Sequence, residues 1–325
     1  MPIVANPYAD RALVPPVNRD ARAFHAALPG YEPTPVRELT SVAAELRLDA
    51  VLLKDESRRL GLPAFKILGA SWAVERMLRE QPGVHALIAA SAGNHGRAVA
   101  RAAKLRGLAC RVYLPARSLP VRREAIASEG AEVVVVDGTY EDAVVLAEAA
   151  GREPGAVTIA DVGDSGPAEW VIDGYATLFD EAAEQASFDT ILVPVGVGSL
   201  AAAAARFGAE AGLTVIGVEP TTAACLTESL GAGERVTIPT PGTIMAGLDC
   251  AEVSAAAWRS LLYGITGTIT VSDDQVRSAM ADLAAAGLTI GESGAAPFAA
   301  LRLGLVPAHA RVLLVASEGL TALAP

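Results

Sequence analysis

ALIAASAGNHGRAVA (residues 86–100) and TILVPVGVGSLAAAA (190–204) decide the fold, because in each a short apolar run gives way to a glycine-bearing turn and then to an alanine-rich stretch. A strand that ends in glycine and hands over to a helix is the repeating half of a parallel sheet covered by helices. Five more runs read as strands: CRVYL (110–114), EVVVV (132–136), TVIGV (214–218), TITV (268–271) and RVLLVA (311–316), with helix-like segments between most of them. The expected fold class is α/β. Both glycine turns are natural anion sites, since glycine permits close backbone approach and the free N–H groups at a helix start favour a phosphate or carboxylate. Tight glycine turns follow strands in any α/β protein, so either loop alone is weak evidence and the pair is better evidence.

Composition narrows the function. The chain has 325 residues, 52% hydrophobic and 19% charged, enough for a sizeable core. Its net charge of -11 argues against nucleic acid and anionic membrane surfaces as partners and points to small-molecule chemistry. No apolar run approaches the roughly 20 residues of a membrane-spanning helix. The start, MPIVANPYADRALVPP, lacks the basic-then-apolar order of a signal peptide, so a cytoplasmic location is expected. Cys110, Cys225 and Cys250 are far apart with no metal-ligand spacing, so neither a disulfide framework nor a metal site is expected.

Of the 26 basic residues only Lys54, Lys66 and Lys104 are lysines. A chain that uses arginine wherever a positive charge suffices retains lysine where an amine is needed, because arginine stays protonated. Lys66 lies among Phe65, Ile67 and Leu68, and apolar burial is expected to lower its pKa and free the amine. Lys54 is followed by Asp55 and Glu56, which are expected to hold its charge. A helix lysine snorkelling to solvent is the plainer alternative for Lys66. A rival template also fits: GVGSLA (196–201) matches G-x-G-x-x-A, and Glu219 closes the next strand where a dinucleotide site would place a ribose-binding acid. A nicotinamide-dependent oxidoreductase therefore stays open on this local evidence.

The order of YEPTPVREL (31–39), LLKDESRRLGLPAFKILGASWAV (52–74), SAGNHGRAVA (91–100), GVGSLAAAA (196–204), TIMAGLDCAEVS (243–254), GESGAA (291–296) and ASEG (316–319) resembles the diaminopropionate ammonia-lyases. These belong to the fold type II pyridoxal-phosphate enzymes, beside threonine and serine dehydratases. The resemblance implies two α/β lobes with pyridoxal 5'-phosphate between them, a large lobe of residues 1–75 and 161–325 and a small one of residues 76–160. It implies that Lys66 holds the cofactor covalently, that Asn94 bonds its ring hydroxyl oxygen with His95 as a structural neighbour, and that Gly196, Val197, Gly198, Ser199 and Leu200 cradle its phosphate. It places Ser317 beside the pyridine nitrogen, where a hydroxyl, unlike a carboxylate, does not enforce a charged ring. The activity implied is α,β-elimination from a small β-substituted amino acid, by a homodimer. Dehydration, racemisation and β-replacement are the other reactions this scaffold leaves open.

Two departures matter. Ala92 stands where the resembling enzymes have an aspartate, so an acid is missing near the substrate, which is expected to restrict the enzyme to one enantiomer or to mark a different substrate. The second family carboxylate aligns best with Asp161, in a stretch about three residues shorter, with Asp164 the weaker candidate. Either Lys66 or Asp161 is then the base. Cys250 falls on a family cysteine and reads as packing, and Glu292 and Ser293 read as a helix start facing the cofactor or as caps.

Overall fold

The computed structural model describes residues 3–164 and 166–320. Among them lie eleven strands: β1 (Val4–Ala5), β2 (Val36–Glu38), β3 (Ala50–Asp55), β4 (Ala86–Ala90), β5 (Ala109–Pro115), β6 (Glu132–Val136), β7 (Ala156–Thr158), β8 (Thr190–Pro194), β9 (Thr214–Pro220), β10 (Gly267–Val271) and β11 (Arg311–Ala316). They form a seven-stranded sheet of order β1-β10-β9-β8-β11-β3-β2 and a four-stranded sheet of order β6-β5-β4-β7. Every pair in the small sheet is parallel. The large sheet is parallel from β10 to β3, with β1 and β2 as antiparallel edges. The class is α/β, as the sequence predicts.

Helices cover the large sheet on both faces, which is why its strands read as unbroken apolar runs. On β11, Leu313 and Val315 pack with Ile191, Val193 and the buried alanines of the helix Ser199–Ala211, while Val312 and Leu314 pack on the other side with Ile269 and Phe298. Alanine at 201 to 205 keeps that helix thin enough to lie close over the strands.

Strand order reverses between β8 and β11, which are hydrogen-bonded neighbours with β9 and β10 beyond one and β3 and β2 beyond the other. Ligands of open parallel sheets bind outside the carboxyl ends of the strands at such a reversal. Here those ends carry the loop from Gly196 after β8 and Ser317 after β11. No helix among the described residues is long and apolar enough to cross a membrane.

Candidate active site

The carboxyl end of β11 also fixes Lys66. Residues 63 to 65 run back along it: Ala64 bridges Glu318 in antiparallel fashion, Phe65 N–H donates to Ser317 O at 3.3 Å, and Gly319 N–H donates to Pro63 O at 2.9 Å. Lys66 follows at once, as the cap of the helix Ile67–Glu80. Its Nζ donates to Asp161 Oδ2 at 2.7 Å. The carbonyl of Asp161 accepts from Ser199 Oγ at 3.0 Å, so amine, acid and glycine loop meet through one residue. Asp161, not the exposed Asp164, is the acid at the amine.

Burial opposes the charge on Lys66, but the Asp161 carboxylate outweighs it and holds the ammonium above the ordinary lysine range. Burial likewise opposes the charge on Asp161, and His95 and Lys66 outweigh it, holding the carboxyl well below the usual range. This reverses the expectation for Lys66, because its partner comes from a loop 95 residues away that the local sequence does not show. The expectation for Lys54 holds only for Glu56, and burial outweighs it. Its side chain is buried, donating to Glu181 Oε2 and to Thr34 O at 2.7 Å each, and burial lowers its pKa against the pull of Glu56 and Glu181. Asp55 points elsewhere, accepting from Ser57. Lys54 is thus a structural cation, knotted with Arg59, Glu56 and Glu181 below the surface.

Tyr175, on the helix Pro167–Gln185, was not singled out by sequence. It is fully buried, its hydroxyl makes no well-formed hydrogen bond among the described residues, and burial pushes its pKa up while the nearby Lys66 ammonium pulls the other way. The signal was present, because the residue closes the W-x-x-x-G-Y segment after Asp161.

The glycine loop has the features of a phosphate cradle. Gly198 sits at φ +92° and starts the helix Ser199–Ala211 with no side-chain cap, leaving the first N–H groups of that helix for an anion. A Cβ at Gly196 would lie 2.6 Å from Gly247 O and 3.1 Å from Cys250 Sγ. Val197 O accepts from Ser254 N–H at 2.8 Å, and Ser199 and Leu200 are buried, so the loop is held from behind. The Cys250 thiol is therefore no remote packing residue: it backs the cradle, and burial with the Asp161 charge pushes it up to about 12.

Asn94 opens the helix Asn94–Arg106, and its Nδ2 donates to Glu318 Oε2 at 2.6 Å. Glu318, which sequence reasoning missed although it follows Ser317 directly, is buried, and its other oxygen accepts from Ser293 N–H at 3.2 Å. Burial raises its pKa. Ser293 is buried and accepts from Gly247 N–H, while Glu292, Ala92, Asn94 and Glu318 line one cleft between the two sheets' loops. Ser317 is buried at the strand end. The dinucleotide template fails at Glu219: both oxygens are spent on Leu226 N–H, Thr227 N–H and the Thr227 hydroxyl at 2.6–2.9 Å, capping the helix Cys225–Ala232, and burial lifts the carboxyl to about 7. It has nothing left for a ribose.

An uncapped glycine cradle, one amine paired to an acid beside it, and an amide at a facing helix start fit a phosphate-bearing aldehyde cofactor, so fold and site together define a fold type II pyridoxal-phosphate enzyme. A family model for pyridoxal-phosphate dependent enzymes matches residues 27–318. The diaminopropionate ammonia-lyase of Escherichia coli (strain K12) is 33% identical over 283 residues, covering 78% of this chain and 71% of that protein. The crystal structure of the Escherichia coli enzyme with an aminoacrylate–PLP azomethine reaction intermediate superposes with a TM-score of 0.89 at 30% identity, over 98% of this chain and 94% of the other. Maize serine racemase superposes with a TM-score of 0.85 at 28% identity, over 97% and 95%. The chain belongs to the pyridoxal-phosphate dependent enzymes and, within them, to the diaminopropionate ammonia-lyase family.

Proposed function

We propose that this protein is an ammonia-lyase that removes the β-amino group of 2,3-diaminopropionate or a close relative, leaving a 2-oxo acid and ammonia. The observation that carries it is the Lys66–Asp161 contact of 2.7 Å joined through Asp161 to the Ser199 loop. When bound, pyridoxal 5'-phosphate supplies the electron sink for the carbanion. Lys66 would hold it, Gly196 through Leu200 would bind its phosphate, Asn94 would steady the ring hydroxyl, and the Ser317 hydroxyl would serve the ring nitrogen without imposing a charge. Asp161 and Lys66 take the α-proton and return a proton to the leaving amine.

The same proposal includes the lobe division at residues 76–160, supported by the four-stranded sheet lying wholly between residues 86 and 158. It also includes a homodimer, as the family resemblance implies, and a cytoplasmic location, as the composition of the N-terminal stretch suggests. Supplying each enantiomer of 2,3-diaminopropionate to the cofactor-loaded protein tests the activity. Equimolar 2-oxo acid and twice as much ammonia support it; turnover of serine or threonine alone would favour dehydration. That second reading draws on Ala92, which leaves the Asn94 side of the cleft without the family's aspartate.

A further inference from the structure

Glu318 is a buried acid with no basic partner: among the described residues it forms no ion pair, and both of its carboxyl oxygens face nitrogen donors instead. Oε2 accepts from Asn94 Nδ2 at 2.6 Å and Oε1 from Ser293 N–H at 3.2 Å. Burial lifts its pKa, and the bonds to Ser293 and Asn94 pull the other way. The fold makes room for this side chain. Gly291 has φ -78°, which any residue adopts, yet a Cβ there would press on Gly319 O and lie 3.3 Å from Glu318 Cγ.

The backbone of Glu318 is fixed on both sides. Its carbonyl accepts from Gly291 N–H at 2.9 Å, and the residue bridges Ala64 in antiparallel fashion, two positions before Lys66. Asn94 comes from elsewhere, at the start of the helix Asn94–Arg106 that follows β4 of the small sheet. Glu318 therefore ties the Asn94 amide to the segment that carries Lys66. On pyridoxal phosphate the aldehyde carbon that a lysine takes and the hydroxyl that an asparagine would bond sit on neighbouring ring atoms, so amine and amide have to be held in register. We propose that Glu318 is a positioning residue for the ring hydroxyl: it holds the Asn94 amide in place by one N–H and leaves the second N–H of that nitrogen for the ring oxygen. Without it the amide is free to turn and offer Oδ1, an acceptor, to an oxygen that needs a donor. The part played by Asn94 rests on the proposed function, whereas the bond between Asn94 and Glu318 belongs to the chain alone.

Glu318→Gln keeps the size of the side chain but has one oxygen for two donors, so Asn94 and Ser293 cannot both be served. The chain has three asparagines, Asn6, Asn18 and Asn94, so selective nitrogen-15 labelling gives three side-chain amide pairs, with Asn94 assigned by its loss in Asn94→Ala. In the full chain before loading, one Asn94 amide proton is expected to lie downfield and exchange slowly with water. Glu318→Gln is expected to abolish both features and leave Asn6 and Asn18 unmoved, which a general loosening of the fold would not do. Affinity for pyridoxal phosphate, titrated by its visible absorption, is expected to fall about tenfold in Asn94→Ala and about fivefold in Glu318→Gln, with the double variant no weaker than Asn94→Ala alone. Additive losses in the double variant, or Asn94 resonances that ignore Glu318→Gln, overturn the proposal. So does an Asn94→Ala that binds as wild type does, which would also remove Asn94 from the ring hydroxyl. The expected cycle in a chain that turns over no 2,3-diaminopropionate leaves the proposal standing and removes the lyase assignment instead.

Discussion

Protonating one buried histidine should loosen the platform that carries Lys66. His25, on the helix Asp20–Ala26, is fully buried, with Nε2 2.9 Å from Leu68 O and Nδ1 2.8 Å from Thr177 Oγ1. The carbonyl accepts from Nε2–H and the threonine hydroxyl donates to Nδ1, so the neutral ring is satisfied at both ends and joins the N-terminal segment to the two helices flanking the amine. Burial lowers its pKa from 6.5 to about 4, against the Leu68 bond and with help from Arg59. Between those values the unfolded chain binds a proton that the folded chain does not, so this stability is present above pH 6.5 and is lost as pH falls toward 4. At about 1.4 kcal/mol per pH unit the whole loss is about 3 kcal/mol, of which about 2 kcal/mol falls above pH 5. Urea denaturation of wild type and of the non-titrating His25→Gln at pH 7.5 and pH 5 cancels the slopes of other groups. The variant should begin less stable by its lost hydrogen bonds and close most of that gap at the lower pH. A gap that does not change with pH, or a His25 resonance titrating near 6.5 in the folded chain, refutes the reasoning.

Three further outcomes follow from the site. Gly198→Ala forces a side chain into a left-handed position 2.6 Å from Leu261 Cδ1, and should cost about 1–3 kcal/mol in the melting transition and weaken retention of the cofactor, followed by its absorption on dialysis. Asp161→Asn removes the charge that holds the Lys66 proton, so cofactor attachment should extend to lower pH while kcat drops by about a hundredfold or more; an unchanged attachment profile would deny the pairing. Ala92→Asp restores an acid on the Asn94 side of the cleft, and product formation from both enantiomers of 2,3-diaminopropionate should then become more equal than in wild type.

The seven strands predicted from sequence are all present, because each is an apolar or β-branched run of four or more residues whose pattern needs no partner to be seen, including β6, of which only Val136 is buried. β1, β2 and β7 escaped notice at two or three residues each, too short for any pattern. β3 is a different case: Lys54 and Asp55 break the apolar run of a strand that is buried along its whole length, and the charges that offset Lys54 come from Glu56, two residues on, and from Glu181, far away. The same long-range pairing reversed the expectation for Lys66. Asp161 was chosen by position in a motif, and the structure gives it a physical partner. Glu318 and Tyr175 lay inside segments already singled out, but what they touch depends on how β11 and the helix Pro167–Gln185 converge on Lys66, and no local spacing encodes that.

The central claim is that Lys66, alone of three lysines, carries pyridoxal phosphate. Borohydride reduction of the loaded protein, digestion and mass spectrometry of the lysine peptides tests it directly. The cofactor's mass is expected on the peptide containing Lys66, with Lys54 and Lys104 unmodified and no label in Lys66→Ala. Label on Lys54 or Lys104, or none on wild type, would contradict it.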